Sequence, residues 1–187
     1  YKVVLLAPTG RAAKVFASYA GHTAFTIHKN IYRQKSAADG EGVFSLGFNT
    51  LSDAVFFVDE ASMISNMDVE GNFGSGRLLD DLVEFVYNGR NNRLVLIGDV
   101  AQLPPVGLMI SPALDKQELE AAYNFRVTEV DLVDVMRQVD KSGILQNATL
   151  VRAMIGSNSD RFVLNLMDFP DVFRIEGGEL LEAIDTC

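Results

Sequence analysis

The chain has few residues that could cross-link its fold through disulfides or bound metal ions. It has a single cysteine, Cys187, so no disulfide can form within its 187 residues. That cysteine and two histidines make no cluster with the spacing of zinc ligands. A lone cysteine suits a reducing compartment, and we expect a cytoplasmic protein.

Long hydrophobic runs are also missing. The longest, VVLLA and AVFFV, are far shorter than the roughly 20 residues that span a bilayer. The first residues, YKVVLLAPTG, lack the cleavage site of a secretory signal and predict a buried strand. The sequence does not begin with Met, and we expect a piece of a longer protein. Its 48% hydrophobic content is sufficient for a stable core.

Acidic residues are absent from the first 38 positions, although the whole chain has a net charge of −9. That stretch carries six Lys or Arg, so the remainder is strongly acidic. The negative net charge argues against a protein that binds nucleic acid non-specifically over its whole surface. A local basic surface can still bind the phosphates of a nucleic acid. A chance run of charges on a solvated face is the alternative interpretation.

Strand-like and helix-like segments alternate, which predicts an α/β fold with a largely parallel sheet. Helix TGRAAKVFASYAG has Thr9 as its N-cap and Gly21 as its stop. Helix RLLDDLVEFVYNG has one apolar stripe, with Asp81 among the acids off that stripe and Gly89 as its stop. Two more helices are predicted at PALDKQELEAAYN and SGILQNATLVRAMIG, and strands at KVVLLAP, DAVFFVDEA, RLVLIGD, FRVTEVDL and DVFRI.

Two adjacent carboxylates, Asp59 and Glu60, directly follow the strand AVFFV. Open α/β sheets bind ligands at the carboxyl ends of their strands. Asp59 can hold Mg²⁺, usually through water, and Glu60 can orient or deprotonate an attacking water. The alternative is a strand that ends in two solvated acids.

The segment LVLIGDVAQLPPVG repeats this pattern. A buried strand again ends in an acid, Asp99, and Gln102 follows three residues later beside two prolines that stiffen the turn. A neutral amide fixed beside carboxylates can sense a γ-phosphate. A second acid-ended strand favours a shared site at one sheet edge over a simple polar turn.

A phosphate-cradling loop of the form GxxxxGK[ST] is absent. The nearest match, GNFGSGRL at 71–78, has Arg77 and Leu78 where Lys and Ser or Thr belong, and we interpret it as a flexible surface loop. PTGRAAK has too few glycines to cradle a pyrophosphate. AADGEGVFSLGFN is interpreted as a loop or small hairpin insertion.

Five motifs together resemble the RecD-like superfamily-1 DNA helicases; in chain order they are APTGRAAK, TIHK, VDEASM, GDVAQLPPVG and VMRQ. The resemblance implies a first RecA-like lobe of the P-loop NTPase class at 1–126, with a small insertion at about 36–50. It implies the start of a second such lobe at 127–187. In that family the phosphate loop (Walker A motif) lies just upstream of the first strand. We therefore expect a fragment that begins after that loop and ends before the C-terminal helicase motifs.

The resemblance also implies roles for individual residues. Asp59 resembles the magnesium ligand, Glu60 the catalytic base and Gln102 the γ-phosphate sensor. Arg137, in VMRQ, resembles an arginine that reaches the γ-phosphate of ATP across the cleft between the lobes. Taken alone, Arg137 could equally be a surface arginine in a salt bridge.

A path for single-stranded DNA is implied as well. Backbone N–H groups at a helix start and a nearby arginine suit a phosphodiester. The alternatives are that APTGRAA is an ordinary strand–turn–helix and that His28 has a structural role. The residues implied to contact DNA are Pro8, Thr9, Gly10, Arg11, Thr26 and His28.

The parent enzyme implied by these motifs couples ATP hydrolysis to translocation on single-stranded DNA and to unwinding at duplex junctions, in repair or recombination. We expect the chain alone to be inactive or a very weak ATPase, because it lacks the phosphate loop. One alternative is a non-catalytic module that binds single-stranded nucleic acid. Another is a phosphate-loop ATPase that does not act on DNA, which TIHK and PTGRAAK argue against.

Overall fold

The computed structural model describes residues 1–35, 43–67, 73–132, 142–155 and 163–185. The chain divides into two compact units, Tyr1–Glu129 and Val130–Cys187. The assignment of these parts to a first and a second RecA-like lobe stays a prediction. So does the small insertion at about 36–50, of which residues 36–42 lie outside the described part.

The first unit is built on a four-stranded parallel sheet with the strand order β2-β1-β5-β6. A separate antiparallel ribbon joins β3 to β4. The predicted α/β fold with a mostly parallel sheet is therefore confirmed. The strands are β1 (Lys2–Ala7), β2 (Ala24–Thr26), β3 (Tyr32–Lys35), β4 (Val43–Leu46), β5 (Ala54–Val58) and β6 (Arg93–Leu96).

Helices flank the sheet of the first unit. The side chain of Thr9 caps the first helix by accepting the Ala12 N–H at 3.2 Å, and Gly21 ends it with a left-handed φ of 65°. Both cap predictions are confirmed. The first unit contains α1 (Gly10–Ala20), α2 (Ile27–Ile31), α3 (Leu78–Tyr87) and α4 (Lys116–Tyr123), and the second contains α5 (Gly143–Ile155) and α6 (Leu180–Asp185).

The core of the first unit lies between one face of the sheet and the helices α2 and α3. Alternate residues of β5 are fully buried, as expected of a strand that presents one face to a core. Burying each large apolar side chain contributes about 1.5–3 kcal/mol relative to exposure. The largest fully buried apolar side chains of this core are Phe56, Leu6, Ile27, Ile31, Ile64, Leu79 and Leu82.

Two predicted strands are wrong. Neither 125–132 nor 171–175 forms a strand. Phe125 instead packs its ring 4.6 Å from that of Tyr87, and the Val127 N–H donates to Glu120 Oε1 at 3.2 Å. In the second unit, Asp171 accepts hydrogen bonds at the start of α5. Residues with a high β-propensity form a strand where they can pack beside a neighbouring strand. Among the described residues, neither of these two segments has such a partner strand.

Asp81, which lies off the predicted apolar stripe of α3, is nevertheless buried. This carboxylate is 4% exposed, and its Oδ2 accepts the Tyr32 hydroxyl at 2.7 Å and the Ser75 N–H at 2.9 Å. A buried carboxylate needs such donors, because desolvation of an unpaired charge is very unfavourable. Gly74 lets the main chain lie close to the Asp81 carboxylate: its φ is 52°, and an added Cβ would lie 2.1 Å from Asp81 Oδ2. Asp81 thus ties α3 to the start of the ribbon.

The stop predicted for α3 is confirmed, whereas the segment 71–78 differs from expectation. The C-cap of α3 is Asn88, whose N–H donates to Glu84 O, and Gly89 lies one residue beyond the cap, where helix-stopping glycines are common. Residues 71 and 72 lie outside the described part. Phe73 forms a bridge to Phe44 and stacks on its ring at 4.5 Å, so this part of the segment is anchored rather than an open loop.

Candidate functional site

The carboxyl ends of the four parallel strands bring most of the predicted site residues to one edge of the sheet. Adjacent strands lie about 4.8 Å apart. The register pairs Ala7 with Thr26, Leu6 with Val58, and Val58 with Leu96. The edge therefore carries, in order, Thr26 at the end of β2, Pro8 to Arg11 after β1, Asp59 and Glu60 after β5, and Asp99 to Gln102 beyond β6.

Asp59 is held by the main chain on both sides. Its N–H donates to Leu6 O at 3.0 Å, which extends the β1–β5 pairing by one residue. Its Oδ1 accepts the Glu60 N–H at 3.0 Å. The side chain is half-buried, and a carboxylate has further lone pairs to offer a ligand.

Glu60 has a left-handed backbone, with φ 55° and ψ 38°. Among the described residues, the other non-glycine residues with positive φ are all Asp or Asn, which tolerate this region. For glutamate the conformation is unfavourable by about 1–2 kcal/mol. Strain of this kind persists where the surrounding structure enforces it, and it concentrates at functional sites.

The turn after Glu60 is fixed by three hydrogen bonds. The Ala61 N–H donates to Ile97 O at 2.8 Å, which links the turn to the end of β6. The buried Ser111 hydroxyl lies 2.9 Å from Ala61 O and 2.6 Å from Ile64 O, and donates to them. These contacts join residues 36 to 50 positions apart in the sequence and explain how the strained conformation of Glu60 is held.

The segment beyond β6 approaches this turn closely. At Gly98 an added Cβ would lie 2.9 Å from the Ser62 backbone nitrogen and 2.8 Å from Leu114 Cδ1. Asp99 Oδ1 then accepts the Ala101 N–H at 2.9 Å, and the Gln102 N–H donates to Asp99 O at 3.1 Å. Gln102 is thereby placed on a tight turn at the strand end next to that of Asp59, with its side chain exposed.

The residues after β1 form the start of α1. Thr9 is the N-cap, Pro8 is half-buried, and Gly10 and Arg11 are exposed. An added Cβ at Gly10 would meet nothing within 4 Å, so the space beside this residue is open. Free N–H groups at a helix start suit an anionic group.

Thr26 and His28 sit in different environments. Thr26 caps α2 by accepting the Lys29 N–H at 3.2 Å. The His28 ring packs against Tyr32 and Phe73, with ring centroids 5.5 and 5.2 Å apart. Burial of the imidazole lowers the pKa of His28 below its usual value, which disfavours a cationic side chain at neutral pH.

The comparisons with known proteins fit this arrangement. A family model described as an AAA domain matches residues 1–154. The chain belongs to this family. A curated relative, the ATP-dependent RecD2 DNA helicase of Deinococcus radiodurans, is 32% identical over 150 residues, or 79% of this chain. The chain spans 17% of the length of that relative. The resemblance to RecD-like helicases is confirmed, and so is the RecA-like fold of the AAA domain.

Two predicted features of this AAA domain need separate mention. Arg137 falls within 133–141 and lies outside the described residues, so its role stays a prediction. Within the described part of the chain, no helix is long and apolar enough to cross a membrane.

The site residues of the AAA domain fit a magnesium ion that is bound together with phosphates. No group of three or more His, Cys, Asp or Glu side chains among the described residues could hold a metal by itself. Mg²⁺ keeps several waters and commonly takes one or two carboxylates plus substrate phosphates. Asp59, half-buried with its orientation fixed by the main chain, suits that single-carboxylate role.

Sequence reasoning missed the side chains that line a groove between α1 and the β2–α2 segment of the AAA domain. The groove has a volume of about 510 Å³ and includes Lys14, Phe25 and Lys29 beside the predicted contacts Gly10 and Thr26. The acid-free stretch of the first 38 residues was the signal that could have identified Lys14. Arg33, another cation of that stretch, instead donates to Asn30 O and Tyr32 O at 2.8 Å.

Proposed function

We propose that this AAA domain supplies nucleotide-hydrolysis and strand-binding residues to an ATP-dependent DNA helicase that translocates on single-stranded DNA and unwinds duplex junctions. One observation carries the proposal. The strained Asp59–Glu60 turn and the Asp99–Gln102 turn follow neighbouring strand ends and are hydrogen-bonded to each other through Ala61 and Ile97.

In this proposal the two carboxylates of the β5 turn have separate tasks. Asp59 holds Mg²⁺, which when bound neutralises charge on the phosphates of ATP. Glu60 accepts a proton from the water that attacks the γ-phosphorus; an O–P bond forms to that water, and the bond to the leaving ADP oxygen breaks. The fixed backbone of Glu60 supports a base that must be positioned before the reaction.

Gln102 and Arg137 are proposed to contact the γ-phosphate. Gln102 is neutral and lies on the turn beyond β6, the strand next to that of Asp59, so its amide can donate to a phosphate oxygen without competing for Mg²⁺. Arg137 would stabilise charge that develops on the transferred group. Both roles rest on the resemblance to RecD-like helicases.

Single-stranded DNA is proposed to follow the strand ends of β1 and β2. Thr9, Gly10 and Arg11 offer an open helix start and an exposed cation, and Thr26 begins the next helix. These groups suit phosphates, which position a strand without reading its sequence. A non-catalytic module for single strands is the second candidate, and the basic groove beside Gly10 and Thr26 is the observation that favours it.

The test is ATP hydrolysis by the full-length parent protein, with and without single-stranded DNA. We expect DNA to stimulate hydrolysis and Glu60→Gln to reduce it by about 10²-fold or more, because a general base contributes roughly that factor. Glu84→Gln, an exposed acid on α3, is the matched control and should change nothing. If the parent binds DNA while Glu60→Gln leaves hydrolysis intact, or if nothing is hydrolysed, the acid pair is structural and the second candidate stands.

A further inference from the structure

The residue directly after Glu60 is bound by both ends of one loop. This loop runs from Ile97 to Ser111 and carries Gln102. At its start, Ile97 O accepts the Ala61 N–H at 2.8 Å. At its end, the Ser111 hydroxyl donates to Ala61 O at 2.9 Å. The loop therefore fixes the peptide groups on both sides of Ala61, and the first of these peptide groups also contains the carbonyl of Glu60.

The Ser111 side chain has one well-defined position. The residue is 2% exposed, and its hydroxyl lies 2.6 Å from Ile64 O as well as 2.9 Å from Ala61 O. Its oxygen accepts the Ala113 N–H at 3.3 Å. A hydroxyl has one hydrogen, which is shared here between two carbonyls, and its lone pairs remain for the third contact. A buried polar group that loses such partners is destabilising, so this arrangement is strongly favoured.

Glu60 is the N-cap of the turn that Ser111 holds. The Met63 N–H donates to Glu60 O at 3.1 Å, which closes a 3₁₀ turn over Ala61–Met63. Hydrogen bonds of this i to i+3 type have poorer geometry than those of an α-helix. The turn therefore depends on bonds from outside it. Without the Ser111 hydroxyl, the backbone of Glu60 can relax out of the unfavourable left-handed region.

A second serine of the same turn shows that burial alone does not produce such contacts. Ser62 is also 2% exposed, yet its hydroxyl has no hydrogen-bond partner among the described residues. Ser111 lies outside the five motifs that resemble those of RecD-like helicases, so the resemblance assigns it no role. Its contacts alone distinguish it from Ser62.

We propose that Ser111 is a positioning residue for ATP hydrolysis. Through the carbonyls of Ala61 and Ile64, its hydroxyl keeps Glu60 in the left-handed conformation in which Glu60 acts on the attacking water. The proposal rests on the proposed function, which makes Glu60 the base. Ser111 forms no bond to substrate; it restricts the positions of the base before the reaction, which is where much of an enzymatic rate advantage arises.

The test is steady-state ATP hydrolysis by the full-length parent protein in the presence of oligo(dT). Ser111→Ala should lower kcat by roughly 10- to 100-fold, because a small displacement of a reacting group has an effect of that size. The KM for ATP and the affinity for ADP with Mg²⁺ should stay within about twofold, since a group needed only in the transition state does not affect binding.

A pair of variants separates the hydroxyl from the size of the side chain. Ser111→Thr keeps the hydroxyl, whereas Ser111→Val has nearly the same shape without it. The threonine variant should regain most of the kcat that Ser111→Ala loses, and the valine variant should resemble Ser111→Ala. If the two are equally impaired, the position requires a small side chain rather than a hydroxyl, and the proposal is overturned.

The matched control is Ser62→Ala. It removes a buried hydroxyl from the same turn, but one with no hydrogen bond to lose among the described residues. Its kcat should stay within about twofold of wild type, because an unpaired hydroxyl contributes no bond to the turn. If Ser62→Ala lowers kcat as much as Ser111→Ala does, any small change in the turn is sufficient and the specific role of Ser111 is overturned.

A double variant tests whether Ser111 acts through Glu60. Glu60→Gln/Ser111→Ala should hydrolyse ATP no more slowly than Glu60→Gln alone, because a base that is absent cannot be mispositioned. If the two losses multiply instead, Ser111 acts through another group and the proposal is overturned.

Thermal melting of the 187-residue chain gives a measurement that does not depend on activity. Glu60→Asn should raise the melting temperature of wild type by about 2–4 °C, because asparagine tolerates the left-handed region. In the Ser111→Ala background the same change should raise it by less, since the backbone has already relaxed. Equal gains in both backgrounds would show that Ser111 does not enforce the conformation of Glu60.

The outcomes for the two single variants distinguish this inference from the proposed function. If Glu60→Gln leaves hydrolysis intact, the proposed function fails and the role of Ser111 fails with it. If Glu60→Gln abolishes hydrolysis while Ser111→Ala keeps the kcat of wild type, the proposed function stands and the role of Ser111 alone is overturned.

Discussion

The two halves of the sheet edge share one scaffold and differ in chemistry. The strand ends of β5 and β6, here the acidic half, carry Asp59, Glu60 and Asp99. The strand ends of β2 and β1 with the adjoining groove, here the basic half, carry Lys14 and Lys29. Parallel strands place all their carboxyl ends on one edge, so the residues after each strand decide what that part of the edge can bind.

The halves also differ in how they are held. In the acidic half, Glu60 has an unfavourable backbone that Ser111 and Ile97 enforce from elsewhere in the chain. In the basic half, Thr9 and Thr26 are relaxed helix caps with extended backbones. A group that must meet a reacting atom needs one fixed position, whereas contacts to a mobile phosphate chain can use ordinary helix starts.

The largest effect on stability is expected at Gly74, which lies against Asp81 of α3 and Tyr32 of β3. Gly74→Ala should lower the free energy of unfolding by about 3 kcal/mol, because the new Cβ overlaps Asp81 and Tyr32 in a left-handed backbone. Gly21→Ala is the control for backbone strain alone, about 1 kcal/mol, since its φ is 65° and its Cβ would meet nothing. Urea unfolding measures the free energy of unfolding of both variants. If Gly74→Ala and Gly21→Ala lower it equally, the contact between Gly74 and Asp81 is not tight.

The matching change in the acidic half is Gly98→Ala. We expect a loss of about 2 kcal/mol, because the Cβ would press on Leu114 and on the Ser62 backbone. In the full-length parent this change should reduce ATP hydrolysis more than affinity for oligo(dT), since it moves the turn after Glu60. Gly177→Ala, which meets nothing, should stay within about 0.5 kcal/mol. If Gly98→Ala reduces ATP hydrolysis and oligo(dT) affinity equally, the acidic half and the basic half are not independent.

A smaller effect is expected from relief of strain at Glu60. Glu60→Asn should raise the free energy of unfolding by up to about 1 kcal/mol, or the melting temperature by about 2–4 °C, because asparagine tolerates the left-handed region. Glu60→Gln keeps the conformational penalty and should leave stability unchanged. If the Asn variant is no more stable than the Gln variant, the backbone of Glu60 is not strained in solution.

The smallest effect concerns His28 in the basic half. Burial lowers its pKa below the usual 6.5, so the unfolded chain binds the proton more tightly than the folded chain does. The contribution of His28 to stability is therefore present above that value and lost as pH falls through the lowered pKa. Urea unfolding between about pH 5 and 7.5 should show a flatter pH dependence for His28→Gln than for wild type.

The control for His28 is His22→Gln, at an exposed position in the groove rim. It should not flatten the pH dependence in the same way. A wild-type curve that is already flat over this range would contradict the burial of His28.

Local patterns predicted most elements of the first unit. Buried strands appear as apolar runs. Thr9 and Gly21 mark the limits of α1 through a side-chain cap and a left-handed backbone, and both effects act within a few residues. The same reasoning wrongly predicted strands at 125–132 and 171–175, because strand formation needs a partner whose position the segment does not encode. The burial of Asp81 could not be predicted for a similar reason: its partner Tyr32 lies 49 residues away.

The candidate site was predictable to a different degree in each half. Asp59, Glu60 and Gln102 follow apolar strands, so their place at the sheet edge could be predicted from sequence. The groove could not, since Lys14 and Phe25 line one groove only after α1 packs beside β2. Whether the predicted residues act as proposed is a question for the variants above.

The sequence by itself determined where β1 and β5 end and which residues follow them, because burial and charge are properties of single residues and short runs. The tertiary structure decided which ends are neighbours: the register of Ala7 with Thr26 and of Leu6 with Val58 sets the basic half beside the acidic half. It also decided the left-handed turn at Glu60. That conformation is unfavourable locally and exists because Ser111 and Ile97, distant in sequence, bond to the residues that follow it.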